Sequence, residues 1–345
     1  MNEFINKLFY ELNKENIQYA ILRNYENLPE KDSTTEYFDL DLIVLAKQYK
    51  HFFSILETTS LKCKLDIAKK INREYVKTTQ IYKIENDNFI NAIQIDVHIK
   101  GQNWWGNYYL HEKEILEKRF LNKNFYVVSK FHENLIKWLD KLFWGNYIKK
   151  KYEDEIIHEL NKNHVELAVF LQNVFGKELS ILLFNLIKNG HLRKTLKLRN
   201  QMIIKLINYS FIKYPLLTIK SIIYFFYTEF ILRLSPLGIC LVFNNKDEDI
   251  CFEIFNKFKL LLITKQIIIK YDGKNIYEWL FFYFSKVFPT VRKSGLVCII
   301  TNNNYSILKS KVITISSVDL NLFREIILSY KNFHKPFFAD LIIKK

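Results

Sequence analysis

The sequence predicts an α+β protein in three parts: a mixed sheet-and-helix domain at residues 1–128, a helical lobe with connecting helices at 129–235, and a smaller α/β domain at 236–345. Three patterns predict this order. Apolar and polar residues alternate with period two in the first part, which is typical of half-buried strands. Leucines recur at helical spacing in the second part, and short apolar runs bounded by turn residues return in the third.

The first part begins with an amphipathic helix. Residues 3–15 place Phe4, Leu8 and Leu12 on one stripe, which predicts a helix that buries this face. A short strand then runs into a polar loop. Another strand is predicted at 75–84, where β-branched and aromatic residues are concentrated.

Two further strands carry acidic residues. In 38–44, Asp39 and Asp41 share one face while leucines take the other, and in 93–99, Asp96 lies opposite a row of apolar residues. If the two strands are neighbours, three carboxylates converge, repel one another and raise one another's pKa. A hard divalent cation removes that conflict, and Mg²⁺ bridges such carboxylates to substrate phosphates. The pattern therefore predicts a metal site for nucleotide chemistry.

The segments around the aspartates carry a family resemblance. They are Tyr19-Ala20-Ile21-Leu22-Arg23-Asn24, Asp39-Leu40-Asp41-Leu42-Ile43-Val44, Ile95-Asp96-Val97-His98, Gly101-Gln102-Asn103-Trp104-Trp105-Gly106, Phe131-His132-Glu133-Asn134-Leu135-Ile136-Lys137-Trp138 and Lys151-Tyr152-Glu153. Together they resemble the nucleotidyltransferase superfamily, which has the polymerase-beta-type fold. Within it they are most similar to nucleotidyltransferase-like proteins of bacterial capsule and lipopolysaccharide gene clusters. The resemblance covers roughly the first 190 residues.

The resemblance implies two-metal nucleotidyl transfer. Asp39, Asp41 and Asp96 would hold two Mg²⁺ ions, with Asp96 as the general base toward an acceptor hydroxyl. A nucleoside triphosphate would be the donor, and Arg23 and Asn24 would contact its phosphates. The implied acceptor is a sugar or glycan, within surface polysaccharide biosynthesis.

One departure from the family pattern lies at the turn before the acidic strand. Family members have Gly or Gly-Ser there, which lets the backbone approach the phosphates, whereas this chain has Arg23 and Asn24. Arginine can hold a phosphate by charge, and asparagine tolerates positive φ better than most residues. We therefore expect this pair to keep the phosphate contact. We expect His98 to support the site rather than to ligate the metal.

The second part is predicted to be helical. Ser129 is a suitable N-cap, Leu135, Leu139 and Leu142 repeat at helical spacing, and Gly145 is placed to end the helix. Further helices are predicted near 151–161, 164–175, 177–188 and 191–208.

Residues 203–233 form the most hydrophobic stretch of the chain, interrupted by charged residues such as Lys205, Lys213 and Lys220. Two interpretations are open. The stretch is either an inter-domain helix packed on both sides, which we favour, or an amphipathic segment in peripheral contact with a membrane surface.

The third part resembles the thymidylate-kinase-like P-loop domain that follows in the related capsule-locus proteins. We predict a strand at 238–243, a helix at 249–261 and a strand near 295–301. An active phosphate loop would read Gly-x-x-x-x-Gly-Lys-Ser/Thr after the first strand. Residues 244–252 contain no glycine there, and their three acids would repel phosphate. Near Thr301 the Asp-Arg pair of such kinases is missing as well. We therefore predict a degenerate P-loop-like domain without kinase activity.

Composition limits the classes of function. The 345 residues are 49% hydrophobic and carry a net charge of +15, which argues against disorder and allows phosphate-bearing partners. The first glycine is Gly101, which excludes a glycine-rich phosphate loop from the preceding residues. We expect no signal peptide and no membrane span. Four cysteines without Cys-x-x-Cys spacing are expected to be reduced thiols of a cytoplasmic protein.

Three functions remain open. The first is a magnesium-dependent nucleotidyltransferase. The second is a catalytically inactive scaffold or adaptor in the same pathway, which the lost phosphate loop and the altered turn favour. The third is an RNA-directed nucleotidyltransferase, which the positive charge indicates although no RNA-binding module is recognisable. No DNA partner is expected.

Overall fold

The computed structural model shows a mixed α+β protein. It describes residues 2–26, 28, 37–72, 75–85, 88–145, 147–234, 239–243, 247–259, 266–271, 276–282, 285–286, 296–300, 311–314 and 341–344. All statements on structure concern these residues.

The N-terminal part combines a large sheet, a small hairpin and three helices. The helices are α1 (Asn2–Lys14), α2 (Tyr49–Lys62) and α3 (Glu112–Glu117), with a 3₁₀ turn at Ala46–Gln48. The strands are β1 (Tyr19–Ile21), β2 (Tyr37–Val44), β3 (Asp66–Asn72), β4 (Val76–Glu85), β5 (Asn88–Ile99), β6 (Gly101–Trp104), β7 (Asn107–His111), β8 (Phe120–Asn122) and β9 (Phe125–Val127).

The large sheet has the strand order β3-β4-β5-β2-β1-β9-β8, and β6 pairs with β7 as a separate hairpin. The two acidic strands, β2 and β5, are adjacent and parallel, and Asp41 stands opposite Asp96 in the register. The remaining neighbours of β2 and β5 in the sheet, β1 and β4, are antiparallel to them. The adjacency on which the predicted metal site depends is therefore present.

Alternation along β2 divides the core between the two faces of the sheet. Leu40 and Leu42 belong to the cluster formed with α1 and α2, where Phe4, Leu8 and Leu12 are buried as predicted. Ile43 belongs to a second cluster that extends into the helices after residue 129. Asp39 and Asp41 share a strand face with Ile43, so they lie on the side of the sheet that the helical lobe covers.

The helical lobe consists of α4 (Lys130–Asp140), α5 (Lys150–Lys162), α6 (His164–Phe175), α7 (Lys177–Lys188), α8 (Arg199–Lys213) and α9 (Pro215–Leu234), with a π turn at Lys141–Gly145. Ser129 caps α4 as predicted, since its side chain accepts from the backbone N–H of His132. The helix predicted at 191–208 is wrong in its first half, where Leu192–Leu198 forms a 3₁₀ helix. There the buried Thr195 hydroxyl donates to the Leu192 carbonyl and accepts from Trp138 Nε1, which ties the segment to α4.

The C-terminal part contains a five-stranded sheet that is parallel throughout. Its elements are β10 (Ile239–Phe243), α10 (Glu248–Lys259), β11 (Gln266–Lys270), α11 (Ile276–Phe282), β12 (Leu296–Ile300), β13 (Lys311–Thr314) and β14 (Leu341–Lys344), in the strand order β11-β12-β10-β14-β13. The loop at 244–246 and residues 301–304, on which the loss of kinase motifs was predicted, lie outside the described residues. Cys63 and Cys251 are free thiols.

Residues 203–233 are not packed on both sides. The inner face of α9 meets β7, but several large apolar side chains on its outer face are exposed, among them Leu216 at 82% and Ile223 at 65%. Among the described residues, none of the helices has the length and apolar character needed to cross a bilayer. The preferred interpretation of this stretch was therefore wrong for its outer face.

Candidate metal centre

Asp39, Asp41 and Asp96 come together because the strands that carry them are adjacent and parallel. Asp41 faces Asp96 across β2 and β5, and Asp39 precedes Asp41 by two residues on the same strand face. One carboxylate oxygen from each residue lies within 4.8 Å of the other two. Asp41 is buried, whereas Asp39 and Asp96 are partly exposed. The three carboxylates form a set that could hold a metal ion, as the strand pattern predicted.

Neighbouring side chains orient the carboxylate of Asp96. Thr78 on β4 donates from Oγ1 to Oδ1, and Gln94 donates from Nε2 to Oδ2 at 2.9 Å. Gln80 supports Gln94 by donating from Nε2 to Gln94 Oε1 at 3.1 Å. Burial raises the pKa of Asp96, the hydrogen bond from Thr78 opposes the shift, and the charge of Asp41 adds to it. These groups hold the carboxylate in place but do not neutralise its charge. A bound cation would neutralise it.

Arg23 brings a positive charge to the aspartates. Its Nε donates to Asp41 Oδ2 at 2.5 Å. Burial acts to lower the pKa of Arg23, but the charge and hydrogen bond of Asp41 outweigh it and raise that pKa above its ordinary value. The next residue, Asn24, has a φ of 60°, in the left-handed region that asparagine tolerates. Arg23 therefore reaches the site, where it contacts a predicted metal ligand, whereas Asn24 is exposed and does not line the cavity.

A fourth carboxylate, that of Asp140 at the end of α4, lies near the same arginine. Tyr109 on β7 donates from its hydroxyl to Asp140 Oδ1 at 2.7 Å. Burial raises the pKa of Asp140, while the Tyr109 hydrogen bond and the charge of Arg23 oppose the shift. Asp140 was not predicted, because it stands inside a helical pattern far along the chain and no local signal marks it. With it, the site carries more negative than positive charge, which favours a bound cation.

A cavity of about 330 Å³ shares Arg23, the partner of Asp41, with the site, whereas the three aspartates are not among its lining residues. Arg23, His98 and Asp140 line it together with Gln102 and the ring of Trp144. Gln102 is only 3% exposed, and its Nε2 has no hydrogen-bond partner within the described part of the chain. Buried amide donors are normally satisfied. An unsatisfied one in a cavity wall is suited to an acceptor atom of a ligand.

The structure assembles the predicted residues and adds others. His98 lies in the cavity wall and outside the three-residue metal set, as expected of a supporting residue. Gln94 shares the strand face of Asp96, so the alternation of β5 was a signal for its role. The role of Thr78 could not be predicted from the sequence, because its contact with Asp96 depends on the pairing of β4 with β5. Gln102 is a candidate ligand contact because its amide Nε2 is buried without a partner among the described residues, and burial of a single polar residue cannot be predicted from the sequence pattern.

Comparisons with known proteins returned no relative. No protein-family model matches the chain, and neither a curated protein nor a solved structure matches it. The function is therefore inferred from the chemistry of the chain's own residues.

Proposed function

We propose that the protein is a Mg²⁺-dependent nucleotidyltransferase, which transfers a nucleotidyl group from a nucleoside triphosphate to a hydroxyl acceptor. The observation that carries the proposal is the set of three carboxylates on two adjacent parallel strands, together with an arginine that contacts one of them and also lines a cavity. Carboxylate oxygens are the ligands that Mg²⁺ prefers, and Mg²⁺ bound by carboxylates commonly bridges to phosphates.

The donor set fits a magnesium site. Asp39, Asp41 and Asp96 each offer an oxygen, and Asp96 retains a fixed orientation through Thr78 and Gln94. When bound, Mg²⁺ supplies Lewis-acid stabilisation of charge on the transferring phosphate and on the leaving pyrophosphate. Arg23 adds a guanidinium that reaches toward phosphates from the cavity wall while its Nε remains on Asp41.

The proposed reaction is an in-line displacement at the α-phosphorus. Asp96 accepts the proton of the acceptor hydroxyl, the hydroxyl oxygen forms a bond to the α-phosphorus, and the bond from that phosphorus to the bridging oxygen breaks. Pyrophosphate leaves with that oxygen and its electron pair. Its hydrogen bonds from Thr78 and Gln94 fix the orientation in which Asp96 meets the acceptor hydroxyl.

The cavity supplies a place for a ring-shaped polar substrate. The rings of Tyr75 and Trp144, with centroids 5.7 Å apart, and the free amide donor of Gln102 suit a ligand with an apolar ring face and hydrogen-bond acceptors. A sugar ring meets this description. Together with the family resemblance of the first 190 or so residues, this supports a sugar or glycan acceptor in surface polysaccharide biosynthesis.

One contact favours a second candidate function, that of a catalytically inactive scaffold. Arg23 already pairs with Asp41, the most buried of the three aspartates. A guanidinium in this place can balance a carboxylate without a metal, as in a structural ion pair. In that case the carboxylates would stabilise the junction of sheet and helical lobe rather than bind a nucleotide.

Calorimetric titration distinguishes the two functions. Mg²⁺ and then each nucleoside triphosphate with Mg²⁺ are titrated into the full chain and into the double variant Asp39→Asn/Asp41→Asn. For the nucleotidyltransferase we expect Mg²⁺-dependent nucleotide binding by wild type and at least tenfold weaker binding by the variant, because two ligands lose their charge.

The matched control is Asp154→Asn/Asp249→Asn, which makes the same charge change at two exposed helical positions and should bind like wild type. Pyrophosphate release with a panel of sugar acceptors then tests transfer itself. Wild-type protein that is folded but binds no Mg²⁺-nucleotide, or that binds it as weakly as the double variant, would identify the scaffold.

A further inference from the structure

Helix α9, which we call the rod, has an unusual distribution of side chains. The chain turns sharply between α8 and the rod at Tyr214, whose backbone is not helical (φ −136°, ψ 52°), and the side chains of Ser210 and Thr218 hydrogen-bond across this turn at 2.6 Å. The inner face of the rod is buried and rich in small polar residues. The outer face is exposed and rich in large apolar residues.

The inner face packs closely on the β6–β7 hairpin. Ser210 Oγ on α8 accepts from the backbone N–H of Tyr108, and Ser221 Oγ on the rod lies 3.1 Å from the Tyr108 hydroxyl. At Gly106, a Cβ atom would stand 2.8 Å from the backbone nitrogen of Ile222, so the hairpin turn touches the helix backbone itself. This side of the rod is therefore fully occupied by the protein, and the rod has a fixed orientation.

The outer face carries a continuous apolar stripe at helical spacing. We call it the outer stripe, and its members are Leu216, Ile219, Ile223, Phe226 and Phe230. Successive members are three or four residues apart, so they lie along one side of the rod. Their exposed fractions run from 46% to 82%. A soluble helix normally buries such a stripe, and large exposed apolar patches mark interaction sites.

The charged residues near the outer stripe indicate which kind of partner it binds. The charged residues of α8 and α9 are five basic residues, Arg199, Lys205, Lys213, Lys220 and Arg233, and one acidic residue, Glu229. Lys220 directly follows Ile219, so it flanks the stripe at about 100° around the helix. Lys213, at the end of α8, and Lys220 are exposed, although Lys213 also bonds Glu114. Long basic side chains beside an apolar stripe are the pattern of helices that lie on anionic membranes.

The same charge disfavours a second copy of the chain as the occupant. A two-fold interface would place the stripe of one copy against that of the other, and with it two helix pairs of net positive charge. Like charges at such an interface oppose association. We propose that the outer stripe is a docking surface for an anionic lipid bilayer, on which α9 lies flat without crossing it. This inference does not depend on the proposed catalytic function.

Vesicle co-sedimentation of the full chain tests the proposal. Phosphatidylcholine vesicles with and without phosphatidylglycerol are compared at roughly 0.1 M salt. We expect binding to the anionic vesicles only. The variant Leu216→Glu/Ile223→Glu should lower the partition coefficient by about tenfold or more, because two apolar side chains leave the bilayer and two negative charges approach it.

The matched control is Val165→Glu/Val169→Glu on α6, where two exposed valines receive the same charges away from the rod. It should bind vesicles like wild type. A second variant, Lys205→Gln/Lys220→Gln, leaves the apolar stripe intact and should weaken binding to anionic vesicles alone. Thermal melts establish that each variant is folded.

Three results would overturn the proposal. One is wild-type protein that sediments with neither vesicle. Another is equal loss of binding in the rod variant and in the α6 control. The third is a wild-type dimer in light scattering that Leu216→Glu/Ile223→Glu converts to a monomer, since the outer stripe would then join two copies of the chain.

Discussion

Two buried glutamines near the site differ in whether their amide N–H groups are satisfied. Gln80 donates from Nε2 to Gln94 and so supports the residue that orients Asp96, although its own Oε1 has no partner within the described part of the chain. The Nε2 of Gln102, which is also buried, has no acceptor there. A satisfied buried N–H group stabilises the fold, whereas an unsatisfied one costs free energy in the absence of ligand.

Replacement of each glutamine by leucine should therefore have opposite effects on stability. Gln80→Leu should lower the free energy of unfolding by about 1 kcal/mol, and Gln102→Leu should leave it unchanged or raise it by about 1 kcal/mol. Gln102→Leu should at the same time weaken binding of the cavity's ligand. Urea unfolding and ligand titration of both variants measure this. Equal destabilisation by both substitutions would show that Gln102 has a structural partner.

Among single residues, those of the site that could be predicted from the sequence are the ones that the period-two pattern of a strand assigns to a face. Asp39, Asp41 and Asp96 were found because a period-two pattern places them on defined faces, and neighbouring parallel strands then bring the faces together. Arg23 was placed at the site as a phosphate ligand, but its ion pair with Asp41 was not predicted. Asp140 was missed, because the contact between its helix and the sheet is purely tertiary.

Helix α4 begins with a buried histidine that is held neutral. The Ser129 hydroxyl lies 2.8 Å from Nδ1 of His132 and also caps the backbone of the helix. Burial lowers the pKa of His132 to about 4, against an ordinary value of about 6.5. The unfolded chain therefore takes up this proton at a higher pH than the folded chain does. The stability that His132 contributes is present above pH 6.5 or so and is lost as the pH falls toward 4.

Because of His132, we expect the free energy of unfolding to fall by about 2–3 kcal/mol as the pH is lowered from 7 to roughly 4.5. The measurement compares the pH dependence of urea unfolding in wild type and His132→Gln, so that carboxylates common to both cancel. The variant should show a shallower fall in this range. His158→Gln, at an exposed position on α5, is the control and should follow wild type. Parallel curves for wild type and His132→Gln would contradict the assigned burial effect.

Elements were predictable where one signal dominates. The N-cap at Ser129 and the stripe on α1 depend on local chemistry and one-sided burial, and both were confirmed. The segment Leu192–Leu198 has helical spacing in sequence but forms a 3₁₀ helix, because Thr195 and Arg199 bond to groups in and after α4. Periodicity does not register such side-chain bonds. The outer face of α9 was misassigned for a related reason, since apolar content alone does not show whether a partner element is present.

At the scale of the whole molecule, the described residues form two clusters of buried apolar side chains, both in the first two parts of the chain. Both clusters of buried apolar residues are drawn from residues 4–206, and none of the described residues beyond 234 belongs to either. The sheet of the C-terminal part is hydrogen-bonded only among its own strands, as far as the structure describes them. We therefore expect the chain to divide near residue 235, as the sequence predicts.

A chain that ends at residue 234 should fold on its own and keep the metal site, because it retains both clusters and all three aspartates. We expect a cooperative thermal transition and a rise in Tm on addition of Mg²⁺, since a ligand that binds only the folded state stabilises it. A chain that ends at residue 198 is the control. It loses Met202 and Leu206, which are fully buried in the helical lobe, and should melt without cooperativity. If the 234-residue chain also melts without cooperativity, the C-terminal sheet is needed for the part that carries the metal site to fold.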